Sequence, residues 1–151
     1  MSASRAGSAG DEPGWVAIRI GPSGYRTEVR AGAHTFVSDE PVAVGGTDAG
    51  PTPYDYLLGA LGGCTAITLR MYADRKGWPL ESVDVRLRTS RSHAQDCKEC
   101  EAAPLGVMWL EREIELAGPL TVEQRQRLLQ IADRCPVKQS LERGIRVRAT
   151  G

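Results

Sequence analysis

Gly50-Pro-Thr-Pro-Tyr-Asp-Tyr-Leu-Leu-Gly-Ala-Leu-Gly-Gly-Cys-Thr65 passes from a segment that cannot be regular to one that cannot be exposed. Its first residues close a loop that begins at Asp39 and contains Gly45, Gly46, Gly50, Pro51 and Pro53, which punctuate rather than continue regular structure. From Tyr54 the pattern turns helical and predicts a helix to Lys76. Leu57, Leu61, Cys64, Thr68 and Met71 recur at helical spacing on one side, and Leu58, Ile67 and Leu69 make the other sides apolar. A helix apolar all round is a buried helix. Charge returns at Arg70, Asp74, Arg75 and Lys76, where basic residues suit a helix C-terminus, and Gly77 and Pro79 stop it. Gly59, Gly62 and Gly63 each cost up to ~1 kcal/mol relative to alanine, which calls for close approach of another backbone or a substrate beside Cys64.

Before this stretch, Trp15 to Ile20 and Tyr25 to Ala31 predict two strands joined by the turn Gly21-Pro-Ser-Gly24, and Gly32 turns the chain into a third strand from His34 to Ser38. After it, Val83 to Ser90 alternates strictly, with Asp84, Arg86 and Arg88 on the polar face. Met108 to Leu116 alternates with Glu111, Glu113 and Glu115 on its polar face, so pairing the two sets arginine opposite glutamate. The connection from Arg91 to Gly106 is long for a hairpin loop. Thr121-Val-Glu-Gln124 fits a capping box and starts a second helix, whose inner face is Leu128, Ile131, Ala132 and Cys135. Pro136 can open a further short helix over Val137 to Arg143, and Ile145 to Ala149 predicts a last strand. Segregated hairpins and helices make an α+β domain over residues 14–151; the small, polar residues 1–13 are expected to be disordered.

The 19 basic residues balance the 19 acidic ones, with 41% apolar and 25% charged content. This argues against nucleic acid, which asks for a basic excess, and against an anionic membrane surface. Tyr56 to Leu69, the longest uncharged run, falls short of the roughly 20 residues that span a bilayer. The first ten residues have no apolar core of a secretory signal. The expected compartment is therefore the cytoplasm, where thiols stay reduced, and the four cysteines are read first as reactive or metal-binding.

Cys64, mid-helix among apolar residues, fits a small core residue as well as a reactive one. Cys135 precedes Pro136, so its sulfur either just ends a helix or meets the N–H groups at the start of the next, which stabilise a thiolate. Two such thiols support one reaction: a thiolate attacks a peroxide oxygen, becomes a sulfenic acid, and condenses with the second thiol to a disulfide that a dithiol resets. It requires no cofactor.

The stretch from Gly50 to Thr65 resembles the cysteine-helix motif of the OsmC/Ohr family, the osmotically induced and organic-hydroperoxide-resistance proteins. Ile131-Ala-Asp-Arg-Cys-Pro-Val137 is similar to its second cysteine motif, in the same order on the same elements, so the resemblance covers Trp15 to Ala149. It implies an OsmC-like α+β fold, with antiparallel sheets around a long central helix in an intertwined homodimer whose sites lie at the subunit interface. It implies a thiol-dependent peroxidase preferring organic hydroperoxides, with Cys64 peroxidatic, Cys135 resolving, and a dithiol as reductant. The family pattern has an arginine in the first hairpin turn and a glutamate just after the helix-opening proline. Here the turn is Gly21 to Gly24, and Pro53 is followed by Tyr54 and then Asp55, leaving Arg26 and Asp55 as substitutes. A redox or metal sensor without turnover is the alternative on the same scaffold.

The long connection holds His93-Ala-Gln-Asp-Cys97-Lys-Glu-Cys100. His93, Cys97 and Cys100 have the softness and spacing of a zinc knuckle; a Cys97–Cys100 disulfide and inert thiols fit the same residues.

Overall fold

The computed structural model describes residues 13–99, 101 and 104–150. The segment expected to be disordered lies outside them but for Pro13. The chain divides into two compact units, Met1–Tyr56 with Arg91–Leu105 and Leu57–Ser90 with Gly106–Gly151.

In the first unit, β1 (Val16–Ile20), β2 (Thr27–Ala31) and β3 (His34–Ser38) form an antiparallel meander. Ala31 pairs with His34, so Gly32 and Ala33 alone make the second turn. Gly32 has φ +57° and Ala33 is not left-handed. That is the two-residue primed turn with glycine first, whose twist matches that of the strands. The following loop, expected to be wholly irregular, contains a short 3-10 turn at Val42–Val44. Buried Asp39 organises it. Its carboxylate accepts the N–H groups of Glu40 (2.8 Å), Thr47 (3.2 Å) and Ala49 (3.1 Å) and the Thr47 hydroxyl (2.6 Å).

Thr52 and Asp55 bond each other reciprocally at the start of α1 (Pro53–Lys76), with Asp55 Oδ2 accepting the Thr52 N–H and hydroxyl at 2.8 Å each. The expected loop from Arg91 to Gly106 contains a helix instead, α2 (His93–Glu99). Ser92 starts it, its hydroxyl accepting the Gln95 N–H at 3.2 Å. Buried Asp96 anchors it, receiving the Tyr54 hydroxyl at 2.5 Å and lying 3.3 Å from the Arg91 guanidinium.

The second unit holds most of α1, the hairpin of β4 (Ser82–Thr89) and β5 (Leu110–Ala117), then α3 (Val122–Ala132) and α4 (Pro136–Arg143). Arg86 pairs with Glu113 and Arg88 with Glu111 across the hairpin, as the alternation predicts. Both pairs are exposed and worth at most ~1 kcal/mol each. The core lies between α1, the hairpin and α3: Leu69, Ala73, Leu80, Leu128, Ile131 and Ala132. Gly77, at φ +63°, ends α1. Trp78 N–H reaches Ala73 C=O and Gly77 N–H reaches Asp74 C=O, a Schellman motif sealed by the Trp78–Tyr72 ring contact. Thr121 caps α3 with the full capping box to Gln124.

Three expectations are corrected. The inward face of α1 is Leu61, Thr65, Leu69 and Ala73, not the stripe ending at Met71. Ile67 and Met71 are 61% and 60% exposed in this chain. An all-apolar helix gives periodicity no polar side to exclude, so spacing cannot choose its face. Cys135 is not on the face of α3, which ends at Ala132, but follows it as the N-cap residue of α4. Residues 145–149 form no strand, and Ile145 and Val147 are 65% and 96% exposed. Alternation supplies a strand's faces but not the neighbouring edge it must bond.

Among the described residues no helix is long and apolar enough to cross a membrane.

Candidate active site

Cys64 lies about three turns into α1, partly exposed, while Cys135 is fully buried where the chain passes from α3 to α4. The two thiols are close enough to influence each other's ionisation and are not joined. The sequence accounts for both positions. Gly62, one turn before Thr65, carries no Cβ; one built there would meet Leu87 Cδ1 at 2.7 Å, so the missing side chain lets β4 close on α1 beside Cys64. It is a side chain that approaches, not the expected backbone, and Gly59 and Gly63 face open space. Pro136 takes the first position of α4, where an N–H has no helical partner to lose. The first available donors are therefore those of Val137 and Lys138, the two that an N-cap side chain normally receives.

The surroundings treat the two thiols differently. Burial pushes the Cys64 thiol up and its hydrogen bond to Cys135 adds to this; the Val137 N–H and the Thr68 hydroxyl oppose. Burial also resists ionisation of Cys135, but it is outweighed. The hydrogen bond from Cys64, the Lys138 N–H, the Thr65 hydroxyl and the Val137 N–H together bring that thiol below the ordinary cysteine value. The N–H groups act on the sulfur electrostatically, without a closed capping bond. The two groups titrate as a pair, and the surroundings favour ionisation at Cys135 over Cys64.

One charged residue close to the site is missed by the sequence reading. Arg112 occupies the inward face of β5, alternating with Leu110, Ile114 and Leu116, and its side chain is 15% exposed. Its guanidinium donates to Thr65 Oγ1 (3.3 Å), the Ala132 carbonyl (3.2 Å) and Asp133 Oδ1 (2.9 Å). The signal was a charge on the apolar side of an amphipathic strand. Lys138 Nζ lies 3.6 Å from Asp133 and 2.8 Å from Glu142. Arg112 and Lys138 also line an open cleft of about 800 Å³ with Leu57, Leu61, Trp109 and Leu141.

The other candidates lie in the first unit. Arg26 is exposed, and Asp55 is engaged in capping α1. His93 Nδ1 lies 2.6 Å from Glu40 Oε1, and Tyr54 meets the imidazole edge-on. Exposed Cys97 follows His93 one turn later, and both line a cavity of about 290 Å³. Cys100 lies outside the described residues. Among the described residues no three of His, Cys, Asp or Glu are grouped to hold a metal.

Residues 46–150 match the family model described as OsmC-like protein. The fold is similar to that of an OsmC-like protein from Mycoplasma pneumoniae, with a TM-score of 0.65 at 16% identity over 84% of this chain and 85% of that one. It is also similar to an organic hydroperoxide resistance protein from Legionella pneumophila (TM-score 0.56, 18% identity, 82% and 86% covered). A third similar structure is an organic hydroperoxide resistance protein from Elizabethkingia anophelis (0.55, 17%, 82% and 84%). No curated protein matches the sequence.

Proposed function

The chain belongs to the OsmC-like protein family, and from that premise we propose that it is a thiol-dependent peroxidase acting on hydroperoxides, organic ones foremost. The observation that carries the reading is the pairing of two reduced thiols at the start of α4, one partly exposed and one sealed from solvent. Cys64 is the sulfur a peroxide can reach. It attacks the terminal peroxide oxygen as a thiolate, its proton having passed to the Cys135 sulfur, and the Lys138 and Val137 N–H groups then ease the return of Cys135 to the anion. The O–O bond breaks, Cys64 becomes a sulfenic acid, and the leaving alkoxide recovers the proton from Cys135 and departs as an alcohol. Cys135, again a thiolate, displaces hydroxide from Cys64, which takes a proton from solvent and leaves as water. One hydroperoxide and two thiols thus yield one alcohol, one water and one disulfide. A cellular dithiol reopens the disulfide by exchange; no bound cofactor takes part, and the proposed setting is the cytoplasm.

An intertwined homodimer is part of the proposal. Gly59, Gly63, Ile67 and Met71 lie along one exposed stripe of α1, and apolar surface of this kind is rarely left open on a monomer. The two glycines leave room for a second copy to approach.

A second reading, a redox sensor that oxidises once without turnover, is favoured by the turn Gly21 to Gly24, which has no arginine, and by the capping role of Asp55. Peroxide consumption with a dithiol reductant separates the two. The wild type is expected to turn over continuously, Cys135→Ser to consume one equivalent and stop at a sulfenic acid, and Cys64→Ser to consume none. A fully active Cys64→Ser variant removes the mechanism.

A further inference from the structure

The cavity of about 290 Å³ is built entirely from the first unit, whereas Cys64 and Cys135 belong to the second. Ile20, Tyr25, Val44 and Pro53 give it apolar walls, and His93 and Cys97 line it from α2. Four positions apart, these two share one face of the helix. The imidazole is held from outside α2. Its Nδ1 lies 2.6 Å from Oε1 of Glu40, whose side chain is 12% exposed, and the Tyr54 ring stands edge-on to it. Glu40 is itself fixed. Its N–H donates to Asp39 Oδ1 at 2.8 Å and its carbonyl accepts the Asp48 N–H at 3.1 Å. Gly46 folds so closely over it that a Cβ there would lie 1.8 Å from that carbonyl oxygen. The Tyr25 wall rests on Gly45, where a Cβ would lie 3.2 Å from the ring. A carboxylate on Nδ1 sets the tautomer of the imidazole and leaves Nε2 as its basic nitrogen. A nucleophile, a base beside it and a third group that orients the base are the parts of an activated thiol.

We propose that Cys97, His93 and Glu40 form a second thiol site, whose cavity binds a small disulfide that exchanges with Cys97. Acyl transfer would ask for donors aimed at an oxyanion; exchange asks only for a thiolate and a path for one proton. Cys97 gives its proton to His93 Nε2, and its sulfur attacks one sulfur of the disulfide. The S–S bond breaks, a bond from Cys97 to the attacked sulfur forms, and the departing thiolate takes the proton from His93 and leaves as a thiol. The Cys97 sulfur is oxidised and the departing one reduced, with no further reactant. Glu40 is the positioning residue. The other charged groups about the site are Asp39 and Lys98 in the cavity lining and Asp96 on α2, which Tyr54 and Arg91 hold. The carboxylates of Asp39 and Glu40 suit a disulfide with an amine tail.

Cystamine is the probe. The mixed disulfide at Cys97 is timed by mass spectrometry on the reduced full-length chain carrying Cys100→Ser, where Cys100 cannot take the exchange further. The rate is expected to saturate with cystamine. His93→Gln is expected to lower the maximum rate about a hundredfold near neutral pH and to converge on the parent above roughly pH 9, where thiols ionise unaided. Glu40→Gln is expected to lower the maximum about tenfold, as loss of an orienting partner does, with the half-saturating concentration unchanged. Ala94→Leu fills the cavity on a residue that favours helix and is expected to abolish saturation. A parent rate linear in cystamine overturns the site, because Cys97 is then a surface thiol only. So does a His93→Gln rate equal to the parent's, a deficit in that variant that persists undiminished at high pH, or an Ala94→Leu curve that superimposes on the parent's. Bound zinc that leaves Cys97 unreactive overturns it as well. If Glu40→Gln does not fold, His93→Gln and Ala94→Leu decide alone.

Discussion

Oxidising the cysteine pair has a calculable effect on stability. Cys64 and Cys135 both lie in the second unit and are already neighbours in the reduced protein, so a bond between them demands little rearrangement. It closes a loop of about 70 residues, and a cross-link of that span removes unfolded-state entropy worth roughly 4 kcal/mol. The disulfide also gives up the interaction between the Cys135 anion and the start of α4, roughly 1 kcal/mol at a helix terminus. About 3 kcal/mol remains, and at roughly 2–4 °C per kcal/mol for a chain of this size the unfolding midpoint is expected to rise by about 6–12 °C. The assay is a thermal melt after one equivalent of cumene hydroperoxide, then after dithiothreitol, with the cross-link mapped by mass spectrometry. The rise should reverse on reduction and be absent from Cys64→Ser and Cys135→Ser. A mapped Cys64–Cys135 bond with an unchanged or lowered midpoint refutes the claim that the sulfurs are neighbours in the native structure; a different cross-link refutes the pairing itself.

Asp39 is held at a pKa of about 2, down from 3.8, chiefly by the Thr47 hydroxyl and then, against the cost of burial, by the N–H groups of Glu40, Ala49 and Thr47. Because the folded value is the lower one, its contribution is complete above about pH 4 and is lost as pH falls towards 2; Asp39→Asn should flatten that acid limb in circular dichroism, and an equally steep limb contradicts the assignment. Metal analysis of protein purified without chelator should find near-stoichiometric zinc, lost in Cys97→Ser, if His93, Cys97 and Cys100 form a knuckle. Its absence leaves a disulfide or inert thiols, and peroxide consumption should survive Cys97→Ser in each case. Sedimentation at micromolar concentration should show a dimer that Ile67→Asp dissociates; a wild-type monomer ends the intertwined assembly.

The sequence carried the hairpins and the helix ends well because these are local. The β4–β5 pairing follows from strict alternation, and the Thr121–Gln124 box needs only four residues. Both cysteines of the candidate site were legible as motifs, and the start of α4 was legible at Pro136. What escaped was tertiary. Helix α2 has no apolar stripe to announce it; its anchor is Asp96 on Tyr54, 42 positions away. The spacing of Cys135 from Leu128 and Ile131 fits the face of α3 as well as a break after it, and Pro136 alone points to the break. Arg112 shares its strand with three glutamates, and its partners Thr65 and Ala132 come from α1 and α3, which no pattern within the strand announces.

The passage from α3 to α4 takes only Asp133, Arg134 and Cys135. The negative pole of one helix and the positive pole of the next therefore meet at one sulfur, and an anion there feels two opposed fields. By bonding the Ala132 carbonyl, Arg112 masks the unfavourable pole, while Pro136 leaves the favourable one unobstructed. The junction is thus a rectifier for charge, and its setting depends on chain length. One residue inserted between Ala132 and Cys135 would carry the sulfur off this balance point without altering a single side chain of the site.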